Sequence, residues 1–569
     1  MRKQSQTTYD VAIVGSGAGG GMAAYALTQA GANVVMLEAG AWWDNTKDAF
    51  MMRANADSPR RGASTPDKPF GEFDACVGGW DLGPGEPFVT APAPGAGNTF
   101  RWWRARMLGG RTNHWGRISL RFGPDDFRRG ELDGLSDSWP ISYADLEPYY
   151  DKCDRLIGLM GSKEGIHNQP DGIFLRPPRP RAYEMLVKQA SDKMGIPCVP
   201  ARLSVLTQAH NGRAQCHYCG QCNRGCSVNA NFTSPNVLII PAQKTKKLTV
   251  ITGAMAREIT VGPDGKATGV SYVDVATMQE RQVRARVVVL AASALESARI
   301  LLNSKSSRFP QGIGNSSGMV GKCITDTTGA GESAFIPALV DLPSANEDGV
   351  GGGHVYMPWW GDNKKLDFPR GYHIEVYGGR GQPGSGFMGN IQNYPGGGGY
   401  GAQLKADYKK YWGTRVGFDG RGEMIPNAGS YCEIDPGGMK DKYGIPVLKV
   451  HWQWTDYEYN QVKHMRETFR AILTEMGGTF TNQIPSKENG YGISAGGSII
   501  HEVGGACMGS DPAKSVLNKS CQTWDCENVF MADGAPFTTQ ADKNPTWTIM
   551  ALAWRTADQI MELRKAGQI

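Results

Sequence analysis

No stretch of this chain approaches ~18 consecutive apolar residues, so no segment is expected to cross a membrane as a helix. Met1 to Tyr9 holds two early basic residues and lacks the apolar centre of an export signal. A cytoplasmic chain is therefore expected, or one carried to the periplasm or a membrane surface by a partner that bears the signal. An arginine-rich run is missing too: 60 basic and 55 acidic residues are spread along the whole length, and the net charge of +5 offers nucleic acid no binding face. There is no repeat period and no long low-complexity tract. Nor is cysteine spread as a disulfide framework would spread it. Of the 12 cysteines, four crowd between positions 216 and 226 and the others are scattered, apart from a loose pair at Cys521 and Cys526. Crowding of this kind points to a metal centre.

What is present is an ordinary globular composition, 40% hydrophobic and 20% charged, on 569 residues. That length exceeds one simple core and predicts two intertwined domains. The clearest motif lies at the start. Asp10 to Val14 reads as a buried strand that runs into Gly15-Ser16-Gly17-Ala18-Gly19-Gly20, followed by a helical pattern from Met22 to Ala30. A second strand, Val34 to Leu37, ends at Glu38. In this arrangement Gly15 makes the tight turn, Gly17 admits a pyrophosphate to the backbone and Gly20 lets the helix pack closely. Glu38, 18 residues after Gly20, can accept hydrogen bonds from a ribose diol. The fingerprint predicts a dinucleotide site without separating FAD from NAD.

Three further segments carry a resemblance. They are Met107 to Gly116, with Gly109, Gly110, Asn113 and His114; Val287 to Leu302; and His501 to Gly509, followed by Asp533-Gly534 and Asn544-Pro545. Together with the fingerprint they resemble the glucose-methanol-choline (GMC) oxidoreductase family, in particular its bacterial FAD-dependent sugar dehydrogenase catalytic subunits and pyranose 2-oxidase. Ala298 stands where that family usually has proline. The resemblance implies an α/β fold: a Rossmann-like FAD-binding domain with an inserted antiparallel-sheet substrate domain. Its segments are expected at 1–120 (FAD), 121–204 (cap), 205–330 (FAD, including 216–226), 331–495 (substrate) and 496–569 (FAD, catalytic).

The same resemblance implies roles. Gly109 and Gly110 lie along the flavin, with Asn113 and His114 facing the ring. Asp533 and Gly534 lie near the ribityl and phosphate groups, and His501 and Asn544 are the catalytic pair. A neutral histidine can take the hydroxyl proton, and an amide N–H can hold the substrate oxygen as charge develops on it. On local sequence alone Asn544 also suits a helix N-cap, with Pro545 opening the helix. His114 is either bonded covalently to the flavin or a polar contact beside it.

Cys216, Cys219, Cys222 and Cys226 follow the C-x₂-C-x₂-C-x₃-C spacing of ferredoxins, with Ser227 where a proline would follow. The resembling sugar dehydrogenases imply a [3Fe-4S] cluster on Cys216, Cys222 and Cys226. Cys219 is a possible fourth ligand, which would make the cluster [4Fe-4S]. Zinc, disulfides and free thiols are the alternatives. A cluster implies electrons leaving to a cytochrome c or a quinone, and a small partner subunit. For substrate, the resemblance implies a secondary hydroxyl of a sugar, with C3 of glucosides favoured over gluconate, other polyols or alcohols; an oxygen-using oxidase of the same family is an alternative. An electron-transfer or assembly subunit without catalysis is the alternative of another class. Trp359, Trp360 and Tyr377 are candidate sugar-stacking aromatics. Alternation across Tyr372 to Tyr377 predicts a packed face (Tyr372, Ile374, Val376) and a polar face (His373, Glu375, Tyr377).

Overall fold

The computed structural model describes residues 8–48, 57, 59–62, 86–220, 222–340, 342, 349–358, 365–379 and 399–569. Trp359 and Trp360 lie outside the described residues.

Val11 to Val14, Val34 to Leu37 and Val287 to Leu290 are almost fully buried, as strands covered on both faces must be. They form the centre of a seven-stranded sheet in the order Leu248–Thr252, Val34–Glu38, Thr8–Val14, Glu280–Leu290, Ala267–Asp274, Ala254–Val261. The first four run parallel. Glu280–Leu290 is long enough to serve two neighbours. Its first half pairs antiparallel with Ala267–Asp274, and its last residues pair parallel with Val529–Met531. The helix after the fingerprint, Ala18–Gln29, packs on the final helix, Thr546–Lys565, with Tyr25 and Trp554 ring centroids 6.0 Å apart. On the other side of the final helix lies Tyr143–Ile157, joined to it by Tyr150 and Thr548 hydroxyls at 2.7 Å and by Trp547 Nε1 donating to Asp154 Oδ1 at 2.8 Å.

A second sheet is wholly antiparallel, in the order Thr328–Phe335, Arg415–Gly422, Tyr372–Gly378, Val355–Met357, Val199–Pro200. Thr328–Phe335 straddles residue 330, where a segment boundary was expected. On Tyr372–Gly378, Tyr372, Ile374 and Val376 are buried, while Tyr377 is exposed. This strand brings His373 and Glu375 up to the carboxyl ends of the parallel strands, because both residues bond to the segment that opens the final helix.

Candidate active site

In an open parallel sheet the ligand crevice lies beyond the carboxyl ends of the strands, where the order reverses. Here that point is the end of Thr8–Val14, flanked by Val34–Glu38 on one side and Glu280–Leu290 on the other. Gly15 turns there with φ +99°, and a Cβ on it would fall 2.2 Å from the Ala291 carbonyl oxygen. A Cβ on Gly20 would sit 2.1 Å from the Gly15 carbonyl oxygen, so helix and turn are in direct contact. From Gly17 the Cβ direction is open, with no atom within 4 Å.

A cavity of about 380 Å³ starts at this turn and reaches His501 and Asn544. Of the residues singled out in the sequence, Gly15, Gly17, Glu38, Gly110, His114, His501, Asp533, Gly534 and Asn544 all line it. Gly20, Gly109 and Asn113 are absent from the lining. Asn113 is fully buried, and its amide donates to the carbonyls of Leu108 (2.9 Å) and Gly110 (3.2 Å), bracing the turn behind the cavity wall. The Glu38 carboxylate accepts from Gly40 N at 2.8 Å and from the Ser16 hydroxyl, which also accepts from Gly109 N at 2.8 Å. Burial raises the Asp533 carboxyl to about 6 although Ser297 Oγ donates to it at 2.5 Å. His114 is held near 3 by burial and by the Arg117 and Arg111 cations, so it is neutral at physiological pH.

The catalytic end is a chain of fixed contacts. Pro545 has helical angles (φ −75°, ψ −15°), and its carbonyl accepts from Ile549 N at 2.9 Å, so it opens the final helix. Asn544, just ahead of it, turns its amide back into the cavity. Nδ2 donates to Glu375 Oε1 at 3.2 Å and lies 3.2 Å from His501 Nε2. Burial alone would raise the Glu375 carboxyl, but Arg421 at 3.0 Å and the neighbouring His373 hold it well below the usual carboxylate range. An ionised carboxylate only accepts, so it fixes which end of the Asn544 amide faces it. The second N–H of that amide then donates to Nε2. The His501 proton is therefore on Nδ1, where Thr327 Oγ1 at 3.0 Å accepts it. Burial and then Arg421 lower His501 to about 3, so the imidazole is neutral with its Nε2 lone pair turned to Asn544. Asn544 Oδ1 is buried with no hydrogen-bond partner among the described residues.

Thr327, Glu375 and Arg421 were not assigned roles from sequence. Glu375 was legible only as a polar-face residue. Tyr377, proposed as a sugar binder, is 43% exposed and does not line the cavity. Replacing Glu375 with Gln leaves Arg421 only the more distant Asp419 carboxylate, at 3.8 Å, and frees the Asn544 amide to rotate. A loss of about ten- to a hundredfold in kcat is expected with little change in KM. A raised KM with kcat little changed would show that Glu375 serves substrate binding instead.

The cysteine segment lies behind the same wall. Cys216 and Cys226 are buried, and Cys219 and Cys222 are half-buried, with all four thiols near enough to feel one another's charge. The Tyr218 amide donates to Cys216 Sγ at 3.4 Å. Beside Cys226 sits Arg213, whose Nη1 and Nη2 are buried without partners among the described residues. Buried cationic donors without partners, within electrostatic reach of Cys226, suit an anionic group held by those sulfurs. The buried guanidinium of Arg117 donates to Cys222 O at 3.0 Å, Asn113 O at 3.2 Å and Trp115 O at 2.5 Å. One side chain thus ties the cysteine loop to both neighbours of His114.

A glycine turn at the reversal point of a parallel sheet, opening onto a neutral imidazole, defines a dinucleotide-dependent oxidoreductase. Two family models, both described as GMC oxidoreductase, match residues 18–326 and 426–553, and the first alone spans more than half of the sequence, so the chain belongs to the GMC oxidoreductase family. The family binds FAD and acts on CH–OH donors. The chain is 28% identical over 559 residues to 2-methyl-1,2-propanediol dehydrogenase of Mycolicibacterium austroafricanum, covering 97% of this chain and 95% of that one. It is 26% identical to the fructose dehydrogenase large subunit of Gluconobacter japonicus, with 98% of each covered. Among solved structures, pyridoxine 4-oxidase from Mesorbium loti shares the fold, with a TM-score of 0.64 at 16% identity, covering 98% of this chain and 99% of that one. No helix among the described residues is long and apolar enough to cross a membrane.

Asp326 gives the site a pH dependence. Its Oδ1 accepts from His501 N at 3.0 Å, and burial together with the Glu502 charge raises it to about 7. As pH rises through that value the carboxyl loses its proton and places a negative charge beside His501. That charge favours the imidazolium formed when the ring accepts a proton. The pH profile of kcat/KM is expected to rise through about 7, and this limb should vanish in Asp326→Asn. A limb unchanged in that variant assigns it to another group. For stability the sign is opposite: Asp326 binds its proton more tightly folded than unfolded, so its contribution is full below the ordinary carboxylate range and is lost as pH rises through about 7.

Proposed function

We propose that this chain oxidises a secondary hydroxyl of a sugar or glycoside, with C3 of glucosides the preferred position and a 3-keto sugar the product. The observation that carries the reading is the His501–Asn544 pair at 3.2 Å, in one cavity with the fingerprint turn. FAD, when bound along Gly15, Gly17, Glu38, Gly110, Asp533 and Gly534, supplies the hydride acceptor. The protein's own part is to take the proton and hold the oxygen. An entering hydroxyl inserts between Nε2 and the Asn544 amide. It donates its proton to Nε2 and accepts the N–H that rested there, so the amide stabilises the oxygen as charge develops on it. Thr327 holds the Nδ1 proton and keeps Nε2 free. The unpartnered Asn544 Oδ1 is suited to a neighbouring hydroxyl, as vicinal diols of sugars provide. His114 either bonds covalently to the flavin or packs beside it. Acid precipitation distinguishes the two, a yellow pellet marking the covalent bond.

Cys216, Cys222 and Cys226, with Cys219 as a possible fourth ligand, hold an iron-sulfur cluster in this reading, [3Fe-4S] favoured over [4Fe-4S]. The unpartnered Arg213 donors support an anionic group there. Electrons then pass to a cytochrome c or a quinone. A small partner subunit fits the likeness to a relative that is itself named a large subunit. Such a partner would bring the chain to a periplasmic or membrane-associated position. Anaerobic addition of a sugar panel, with absorbance and electron paramagnetic resonance (EPR) followed together, tests all of this at once. Bleaching of the flavin by glucosides and an iron-sulfur signal are expected. A flavin that no sugar or alcohol bleaches would favour the non-catalytic subunit. Bleaching by gluconate or simple polyols alone would move the substrate assignment.

A further inference from the structure

Cys323 and Cys507 come from the two segments that hold the catalytic histidine, and neither has a place in the mechanism above. Cys323 lies four residues before Thr327, and Cys507 six after His501. The segments are laced together: Gly321 N donates to Gly505 O at 2.7 Å, Gly505 N to Lys322 O at 3.0 Å, and Thr325 and Val503 exchange bonds of 3.1 and 2.9 Å. The approach is so close that a Cβ on Gly504 would fall 2.1 Å from the Cys323 carbonyl oxygen. Within this lacing the two thiols are in hydrogen-bond contact. The pair is unequal. Cys323 is half-buried and has a positive φ of 56°, rare for a residue with a side chain, whereas Cys507 is buried. The Cys507 thiol, with Lys322 adding, holds Cys323 below the ordinary thiol range. By contrast, burial pushes the thiols of Cys198 and Cys432 up to about 12. A half-buried thiol touching a sheltered one, in segments held this close, is the arrangement of an attacking and a resolving cysteine.

We propose that Cys323 and Cys507 form a peroxide-oxidisable dithiol that reversibly switches catalysis off. Cys323 gives up its proton and its thiolate attacks hydrogen peroxide: an S–O bond forms to give a sulfenic acid, the O–O bond breaks, and the leaving hydroxide takes up that proton as water. Cys507 then attacks that sulfur: the S–S bond forms, the S–O bond breaks, and the hydroxide leaves as a second water with the Cys507 proton. Two thiols are oxidised by two electrons and one peroxide is reduced to two waters. Closing the contact to an S–S bond of about 2.05 Å draws the Thr327 segment against the His501 segment. A displacement of about 1 Å at a catalytic group is enough to slow turnover about a hundredfold.

The test treats the holoenzyme with equimolar hydrogen peroxide, then maps its peptides without reductant and measures turnover before and after dithiothreitol. A linked Cys323–Cys507 peptide is expected, with turnover down about ten- to a hundredfold and restored by the thiol. Cys323→Ser, at the half-buried position, should give no link and no loss. In Cys507→Ser, Cys323 should stop at the sulfenic acid and be trapped by dimedone. No linked peptide, a link confined to residues 216–226, or inactivation that persists in Cys323→Ser would overturn the proposal. A link that leaves turnover unchanged would overturn its coupling to catalysis.

Discussion

His501→Ala is expected to lower the rate of substrate-driven flavin reduction by about 10²–10⁴-fold, the range general-base catalysis supplies, while the protein keeps its yellow colour. The reason lies in how the ring is held. Its Nδ1 proton is taken up by Thr327, and the Asn544 amide, fixed by Glu375, rests on Nε2 at 3.2 Å. Nε2 is thus the one ring nitrogen free to take a proton. Removing the ring leaves the Asn544 carboxamide and the Thr327 hydroxyl, neither of which accepts a proton at physiological pH, and the Glu375 carboxylate, which Arg421 keeps ionised. The segment itself should hold, because His501 N still donates to Asp326 and the Thr325–Val503 bonds are backbone. Anaerobic stopped-flow mixing with a substrate sugar is the measurement. Near-normal bleaching would take His501 out of the mechanism, and partial rescue by added imidazole would keep it in.

Much of the nucleotide half was legible because its signals are local. A strand, a glycine turn, a helix and an acid within about thirty residues form one supersecondary unit, and each residue's part follows from its neighbours. Even there, Asn113 carries no local mark that would tell a cavity residue from one bracing a turn, and it braces the turn. The catalytic end is different in kind. His501 and Asn544 are 43 residues apart in sequence, His501 and Thr327 are 174 apart, and Asn544 and Glu375 are 169 apart. Those contacts exist because an antiparallel strand from a separate sheet is brought against the carboxyl ends of the parallel one. Alternation could tell that His373 and Glu375 share a polar face. It could not tell what that face meets, since period-2 patterning carries no information about the partner sheet. Arg213 was invisible for the same reason: a lone arginine near a cysteine run is common, and only its buried, unpartnered donors give it meaning.

The cysteine loop should separate the two half-reactions. In Cys222→Ser, the sugar is expected to bleach the flavin at nearly the normal rate, because the cavity, His501 and Asn544 lie on the other side of Arg117. Steady-state turnover with a one-electron acceptor should fall by more than about a hundredfold, the upper end of what losing a merely supporting group costs a metal site. A serine hydroxyl does not replace a soft thiolate, so iron content and the EPR signal should fall with turnover. Cys222 is the informative position. Its carbonyl is held by Arg117, which also holds the backbone on either side of His114, so this ligand shares its anchor with the flavin-facing loop. Substitution at Cys219 should cost less if three cysteines carry the cluster, and as much if four do, which turns a comparison of the two variants into a count of ligands. A Cys222→Ser protein that keeps full turnover with cytochrome c or a quinone would mean that electrons leave the flavin by another route, and the thiols of this loop would then be structural.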